Sequence, residues 1–168
     1  HPADRLARMV PALEPAARAA DHVITPSHAT REDVLKLLPV DPDRVSVVPE
    51  GVAPEFAPTA AARAPGCLAP LGLRTGEYLL FLGTIEPRKN LVRLVRAYRR
   101  AVAAGGLPHR LVLAGPLGWK HRPLLRELAV EGPGEVALTG STGPVDLDAL
   151  YRGAEAFAYP SLYEGFGL

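Results

Sequence analysis

The sequence has a single cysteine, Cys67, among 168 residues, and its formal net charge is only +1. One cysteine cannot form an intrachain disulfide or a multi-cysteine zinc site, and it suits a reducing compartment. Basic residues are spread along the chain, so no nucleic-acid-binding patch is indicated. No apolar run approaches the roughly 18 residues of a membrane span, and the alanine-rich start, interrupted by Pro11 and Pro15, lacks a signal-peptide core. We expect a cytoplasmic protein with no transmembrane segment and no nucleic-acid partner.

Apolar residues are plentiful, at 48% of the chain against 22% charged residues, which is the balance of a globular protein with its own core. Strand-like apolar runs recur, and most precede a helix-like segment. These runs are DHVITPS, VSVVPEG, YLLFLGT, HRLVLAG, EVALTG and EAFAYPS. Strands that alternate with helices predict an α/β fold with a parallel sheet, whose ligands bind beyond the carboxyl ends of the strands.

Three helices are predicted from apolar spacing and from capping residues. HATREDVLKLL has Ser27 and Thr30 as capping candidates, and NLVRLVRAYRRAVAAGG has Asn90. The second helix has an apolar stripe opposite its arginines, formed by Leu91, Leu94, Val95, Tyr98 and Val102. The third helix, PVDLDALYRGA, is shorter, and its inward-facing residues are expected to be Leu147, Leu150 and Tyr151.

The turn after YLLFLGT is the first candidate site. Gly83 permits a sharp turn, and Arg88 and Lys89 lie where a helix N-terminus favours an anion such as a diphosphate. The alternative is a solvated basic turn in which Glu86 pairs with the cations. The residues of this turn leave both interpretations open.

The segment YPSLYEGFGL is the second candidate site, and it follows the last predicted strand. Its glycines, Gly165 and Gly167, flank Phe166 and permit close approach of a ligand, and Glu164 is suited to accept hydrogen bonds from sugar hydroxyls. The alternative is an ordinary glycine-rich turn with a solvated glutamate, and on its own this segment favours that alternative.

Together these two segments resemble the retaining GT-B glycosyltransferases of family four. VITPSHATREDVL and VSVVPEGV resemble the end of that family's N-terminal domain, GTIEPRKN its phosphate loop, and AYPSLYEGFGL the start of its E-x7-E element. The resemblance covers nearly the whole chain. It implies the tail of an N-terminal Rossmann-like domain (residues 1–52), a linker (53–73) and a truncated nucleotide-sugar-binding domain with a parallel sheet (74–168).

The resemblance also implies roles for individual residues. Lys89 and Arg88 are expected to neutralise the diphosphate of the sugar donor, and Glu164 is the first glutamate of the E-x7-E pair. The second glutamate, which holds the donor ribose, is expected beyond Leu168. Thr84 occupies the position at which many members carry an arginine, so Arg88 is the expected substitute.

Further donor-binding residues are implied by the same resemblance. The nucleotide base is expected near the backbone between Gly140 and Val145. The other expected donor-binding residues are Gly83, Thr84, Gly165, Phe166, Gly167 and Leu168.

Other candidates favour structural roles. Asp146 and Asp148 spell D-x-D, but their position after a proline favours helix-capping carboxylates over a metal site. His28 and Glu32 lack a third ligand at a suitable spacing. Trp119 is expected to be partly buried rather than stacked on a base. We expect no metal and no cofactor.

The predicted activity of the full-length protein is transfer of a hexose from a nucleoside-diphosphate sugar to the hydroxyl of a glycan, lipid-linked or small-molecule acceptor. GTIEPRKN is similar to mannosyltransferase members, which suggests GDP-mannose. The alternatives are a nucleotide-sugar epimerase of the same fold and a non-catalytic nucleotide-binding module. The chain alone, as a fragment, is expected to be inactive.

Overall fold

The computed structural model describes residues 3–56, 68–141 and 147–167, so Cys67 and part of the predicted linker lie outside the described residues. The chain divides into two compact units. The first comprises His1–Ala53 with Tyr163–Leu168, and the second comprises Pro54–Leu162. The predicted domain limits at residues 52 and 73 stay a prediction.

The first unit contains helix α1 (Ala3–Ala19), strand β1 (Val23–Thr25), helix α2 (His28–Leu37) and strand β2 (Val45–Val47). The two strands are parallel, with Val23 opposite Val45. Helix α1 was not predicted, because two prolines within it each remove a backbone N–H donor.

Helix α2 begins as predicted, and the structure identifies which capping candidate acts. The backbone N–H of Thr30 donates to the Ser27 hydroxyl at 3.1 Å, and Ser27 has the extended backbone of an N-cap residue. The Thr30 hydroxyl lies 3.1 Å from the Ser27 hydroxyl and donates to the carbonyl of Gly165 in the same unit.

The second unit contains a four-stranded parallel sheet in the order β5-β4-β3-β6. Its strands are β3 (Tyr78–Leu82), β4 (Arg110–Ala114), β5 (Val136–Gly140) and β6 (Ala156–Phe157), and its helices are α3 (Leu91–Ala103), α4 (Arg122–Leu128) and α5 (Leu147–Gly153). All six predicted strands and the parallel α/β architecture are confirmed. From β3 the chain adds β4 and then β5 on one side of the sheet, and it then crosses back to place β6 on the other side of β3. The strand order therefore reverses between β3 and β6. Ligands of open α/β sheets bind beside such a reversal.

The core of the second unit occupies both faces of this sheet, because successive strand residues point to opposite sides. Leu80 and Val112 pack with Leu150 on one face, and Phe81 packs with Val95 of α3 on the other. The predicted stripe of α3 is confirmed, with Leu91, Val95 and Tyr98 buried and Leu94 and Val102 half-buried. Each fully buried aliphatic side chain of this kind stabilises a fold by roughly 1.5 to 3 kcal/mol.

The inward face predicted for α5 is wrong at two of three positions. Leu150 is fully buried, but Leu147 is 40% and Tyr151 39% exposed. The buried face carries Asp148 and Gly153 instead. Gly153 sets this orientation, since it packs so closely on Tyr78 that a β-carbon there would lie 2.7 Å from the phenol oxygen.

Within the described residues, no helix is both long enough and apolar enough to cross a membrane.

Candidate functional site

The carboxyl end of β3 turns at Gly83, whose φ of +145° lies in a region that favours glycine. The N–H of Gly83 donates to the carbonyl of Ala114 at 2.9 Å. The loops after β3 and β4 then run side by side, with a bridge between Ile85 and Leu117. The pairing of the two strands thus continues beyond their formal ends and supports the loop that carries the predicted phosphate site.

Thr84 is exposed on this loop, and its methyl group faces Gly118. A β-carbon at Gly118 would lie 2.6 Å from that methyl carbon. Thr84 therefore packs against the neighbouring loop through its methyl group. Its predicted contact with the sugar donor stays a prediction.

The predicted capping role of Asn90 is wrong. Residues Pro87–Lys89 form a 3-10 turn, and Asn90 follows with a left-handed φ of 58° and no side-chain capping bond. A capping side chain needs an extended backbone to reach the first free amides of the helix, and the left-handed backbone turns it elsewhere. The Asn90 side-chain amide donates instead to the carbonyl of Pro160 at 3.2 Å.

Lys89 is buried, with only 6% of its surface exposed. Its ammonium group donates to the phenol oxygen of Tyr159 and lies 4.3 Å from the centroid of that ring. Tyr159 belongs to the loop after β6, and the N–H of Leu162 in the same loop donates to the Arg88 carbonyl at 2.9 Å. Lys89 is therefore held where the loops after β3 and β6 meet, at the reversal of strand order.

Arg88 forms the ion pair that the sequence left open as an alternative. Its Nη2 and Nε atoms donate to one carboxylate oxygen of Glu86 at 2.8 and 3.1 Å. The second carboxylate oxygen of Glu86 accepts from the indole N–H of Trp119 at 2.9 Å. Trp119 is half-buried, as predicted. Glu86 thus orients the Arg88 guanidinium and offsets part of its charge.

No role for Tyr159 was predicted from the sequence, although this residue lies inside the motif AYPSLYEGFGL. Its ring stacks on Phe81 with centroids 5.8 Å apart and on Phe157 at 5.5 Å. Tyr151 packs against Phe157 at 5.2 Å, and burial raises the pKa of its phenol. The signal for Tyr159 was its motif position, but its contact with Lys89 joins residues 70 positions apart.

Gly140 ends β5 with a φ of +71°. Its carbonyl accepts from the N–H of Gly115 at 2.9 Å. A β-carbon at Gly140 would meet no atom of the described residues within 4 Å, so the backbone here faces open space. Val145, Leu168 and Asp146 lie outside the described residues.

The segment with Glu164 belongs to the first unit. Glu164 and Gly165 are half-buried, whereas Phe166 and Gly167 are exposed. The carbonyl of Gly165 accepts from the hydroxyls of Thr30 at 3.0 Å and Ser27 at 3.2 Å.

A second contact of this segment with α2 joins the Tyr163 hydroxyl to Asp33, and this hydrogen bond raises the pKa of Tyr163. The structure therefore brings Arg88 and Lys89 together in one unit and Glu164 to Gly167 together in the other. A site shared by both groups stays a prediction.

The D-x-D carboxylate that the structure describes has a structural partner. Asp148 is buried in the first turn of α5 and accepts from Nε of Arg152 at 2.6 Å. No cluster of three potential metal ligands occurs within the described ranges. An intrahelical ion pair accounts for the position of this carboxylate.

Comparison with known proteins identifies relatives over both halves of the chain. Residues 2–56 match the profile of Glycosyltransferase Family 4. O-antigen chain mannosyltransferase B of Escherichia coli is 32% identical, over 100% of this chain and 44% of its own length. A D-inositol 3-phosphate glycosyltransferase of Kineococcus radiotolerans is 34% identical, over 89% of this chain and 36% of its own. The chain thus spans less than half the length of these two relatives.

The fold has a counterpart in HepE of Anabaena, solved in complex with UDP and glucose. The TM-score is 0.68 at 16% identity, over 92% of this chain and 42% of HepE. The GT-B type fold expected from the sequence is thereby confirmed. Residues 70–168, which include the whole β3 and β6 loop system, match the profile of Glycosyl transferases group 1. The chain therefore belongs to the group 1 glycosyltransferases.

Proposed function

We propose that the whole protein transfers a hexose, mannose in the first instance, from a nucleoside-diphosphate sugar to an acceptor hydroxyl with retention of configuration. Similarity to the mannosyltransferase of Escherichia coli named above supports mannose as the transferred sugar. The fold similarity to HepE, solved with UDP and glucose, supports a nucleotide-sugar donor. The acceptor is a glycan, a lipid-linked sugar or a small molecule.

The observation that carries this proposal is the placement of Lys89. A buried ammonium at the carboxyl ends of β3 and β6, on the second residue before helix α3 begins, lies at the reversal point where such sheets bind ligands. The free amides and the dipole of the 13-residue helix α3 add to the attraction for an anion.

The chemistry of this site is electrostatic. Departure of the nucleoside diphosphate builds negative charge on its oxygens, and Lys89, Arg88 and the start of α3 are in place to stabilise it. One preorganised group of this kind is worth roughly 3 kcal/mol of transition-state stabilisation. Arg88 contributes less than an unpaired cation, because Glu86 already offsets part of its charge.

The remaining contacts with the sugar donor are made by backbone groups and by one carboxylate. Gly83 and the glycines of the Glu164 segment allow the donor to approach the main chain closely. Glu164 orients the sugar through its hydroxyls, and backbone groups from Gly140 to Val145 receive the nucleotide base. This mechanism needs no metal, cofactor or side-chain nucleophile.

Calorimetric titration of this chain with GDP, UDP, ADP and GDP-mannose tests the phosphate site. Binding is expected to be weak in the wild type and absent when Arg88→Ala is combined with Lys89→Ala. The matched control combines Arg93→Ala with Arg100→Ala, which removes the same charge from the exposed face of α3. Unchanged binding in the first double variant would refute the assigned site.

Turnover tests the reaction class in the full-length protein. Release of nucleoside diphosphate only when an acceptor is supplied identifies a transferase, and the anomeric configuration of the product, determined by NMR, tests retention. Epimerisation of the donor without an acceptor, or binding without turnover, would contradict the proposal. The chain described above is expected to show no turnover.

A further inference from the structure

Tyr159 links the loop after β6 to the predicted phosphate loop through its side chain. Its phenol oxygen accepts from the ammonium group of Lys89, and the two residues are 70 positions apart. Lys89 is 6% exposed, so little water reaches its side chain. An ammonium group removed from water requires hydrogen-bond acceptors in its place.

The ring of Tyr159 is itself held in position. It is nearly parallel to Phe81, at an angle of 14°, and to Phe157, at 21°. Phe81 is fully buried in the core of the sheet. One face of the Tyr159 ring therefore rests on a core residue, while Tyr159 as a whole is 41% exposed.

The residues on either side of Lys89 are also tied to the backbone of the loop after β6. The Asn90 side chain donates to the carbonyl of Pro160, and the N–H of Leu162 donates to the carbonyl of Arg88. These bonds fix the distance between the two loops. With the loops fixed in this way, Tyr159 can hold the Lys89 ammonium before an anion binds. A Lys89 side chain that was not held would lose considerable conformational entropy on binding an anion, because it has four methylene groups.

The two cations of the loop are oriented by different chemistry. Glu86 holds Arg88 with a carboxylate, which reduces the local positive charge. Tyr159 holds Lys89 with a neutral hydroxyl, so this contact orients the ammonium without adding negative charge. An orienting group of this kind is compatible with attraction of a diphosphate.

We propose that Tyr159 is a positioning residue for Lys89, holding the ammonium group in the place where it meets the diphosphate of the sugar donor. The inference rests on the proposed function. Tyr159 acts through Lys89 and need not touch the donor.

Tyr159→Phe removes the hydroxyl but keeps the ring and both of its stacking partners. The affinity of this chain for GDP, measured by calorimetry, is expected to fall by about tenfold, the usual effect of losing a hydrogen bond to a charged group. Tyr151→Phe is the matched control, since Tyr151 lies in the same group of aromatic rings. The affinity of this variant for GDP should equal that of the wild type. Equal melting temperatures establish that the variants fold.

A double-mutant cycle separates positioning from a general structural effect. In a Lys89→Met background, Tyr159→Phe should cause no further loss of GDP affinity. The same tenfold loss in both backgrounds would overturn the inference, because Tyr159 would then act independently of Lys89.

A second readout needs no ligand. NMR of chain labelled with ¹⁵N-lysine should show a slowly exchanging ammonium signal that is absent in Lys89→Met and in Tyr159→Phe but present in Tyr151→Phe. Retention of that signal in Tyr159→Phe would overturn the inference. If the wild type shows no GDP binding at all, the proposed function fails; if GDP binding needs Lys89 but not the Tyr159 hydroxyl, only the positioning role fails.

Discussion

A β-carbon placed on Gly115 would lie 2.2 Å from the carbonyl oxygen of Gly83. The two glycines follow neighbouring strands, and the N–H of Gly83 donates to Ala114 immediately before Gly115. The loops after β3 and β4 can therefore run side by side only because no side chain separates them at this point.

Gly115→Ala should destabilise the second unit by about 3 kcal/mol, since backbone atoms must move to relieve the clash. Urea unfolding followed by circular dichroism measures the loss. Gly105→Ala is the control, because Gly105 also has a positive φ, +75° against +137° at Gly115, but has open space around it. Its cost should be about 1 kcal/mol, the strain of the backbone alone. Equal losses in the two variants would contradict the proposed contact.

Glu86→Gln should increase the affinity of the chain for GDP by a few-fold, roughly the effect of removing a partly buried negative charge from an anion site. The glutamine oxygen still accepts from Trp119, so the loop is expected to keep its shape. Calorimetry at two salt concentrations measures the change, and Glu127→Gln, whose carboxylate pairs with Arg96 on α3, is the control. A lower affinity for GDP would mean that Glu86 acts mainly by orienting Arg88.

Asp148→Ala should lower the free energy of unfolding by about 3 kcal/mol, because it leaves the partly buried Arg152 without this carboxylate. Added Mn²⁺ should change neither the wild-type nor the variant melting temperature, as expected for an ion pair and not for a metal ligand. Glu14→Ala removes an exposed intrahelical pair with Arg18 and should cost well under about 1 kcal/mol. Stabilisation of the wild type by Mn²⁺ would revive the metal interpretation of D-x-D.

Stability should fall above pH 10 because of Tyr78. Burial raises the pKa of its phenol from 10.0 to about 12, and the hydroxyl donates to the carbonyl of Leu150 at 2.7 Å. The folded state therefore keeps this proton at a pH where the unfolded chain releases it. The contribution is intact below pH 10 and is lost as the pH rises from 10 towards 12, by about 2 to 3 kcal/mol in total.

Urea unfolding at pH 9 and at pH 11 measures this loss. Tyr78→Phe should be less stable than the wild type at pH 9 but should lose less stability between the two pH values. An equal loss in both proteins would assign the alkaline effect to other tyrosines, of which Tyr98 and Tyr151 also have pKa values raised by burial.

Local sequence was enough to predict the strands and the apolar stripe of α3. Each strand is a short apolar run bounded by turn residues, and the stripe at Val95 and Tyr98 follows from helical spacing. Helix α1 was missed because its prolines disfavour a helix locally. The prediction of the inward face of α5 was wrong because the orientation of this helix depends on which of its residues can lie against Tyr78.

The sequence by itself determined the alternation of strands and helices, the family resemblance and the position of Arg88 and Lys89 after β3. These properties depend on residue type and on spacing over a few positions. Only the tertiary structure decided that β6 lies beside β3, that Asn90 holds the neighbouring loop instead of capping α3, and that Tyr159 holds Lys89. Such contacts join residues far apart in the chain, and they form only when the sheet places the ends of β3 and β6 next to each other.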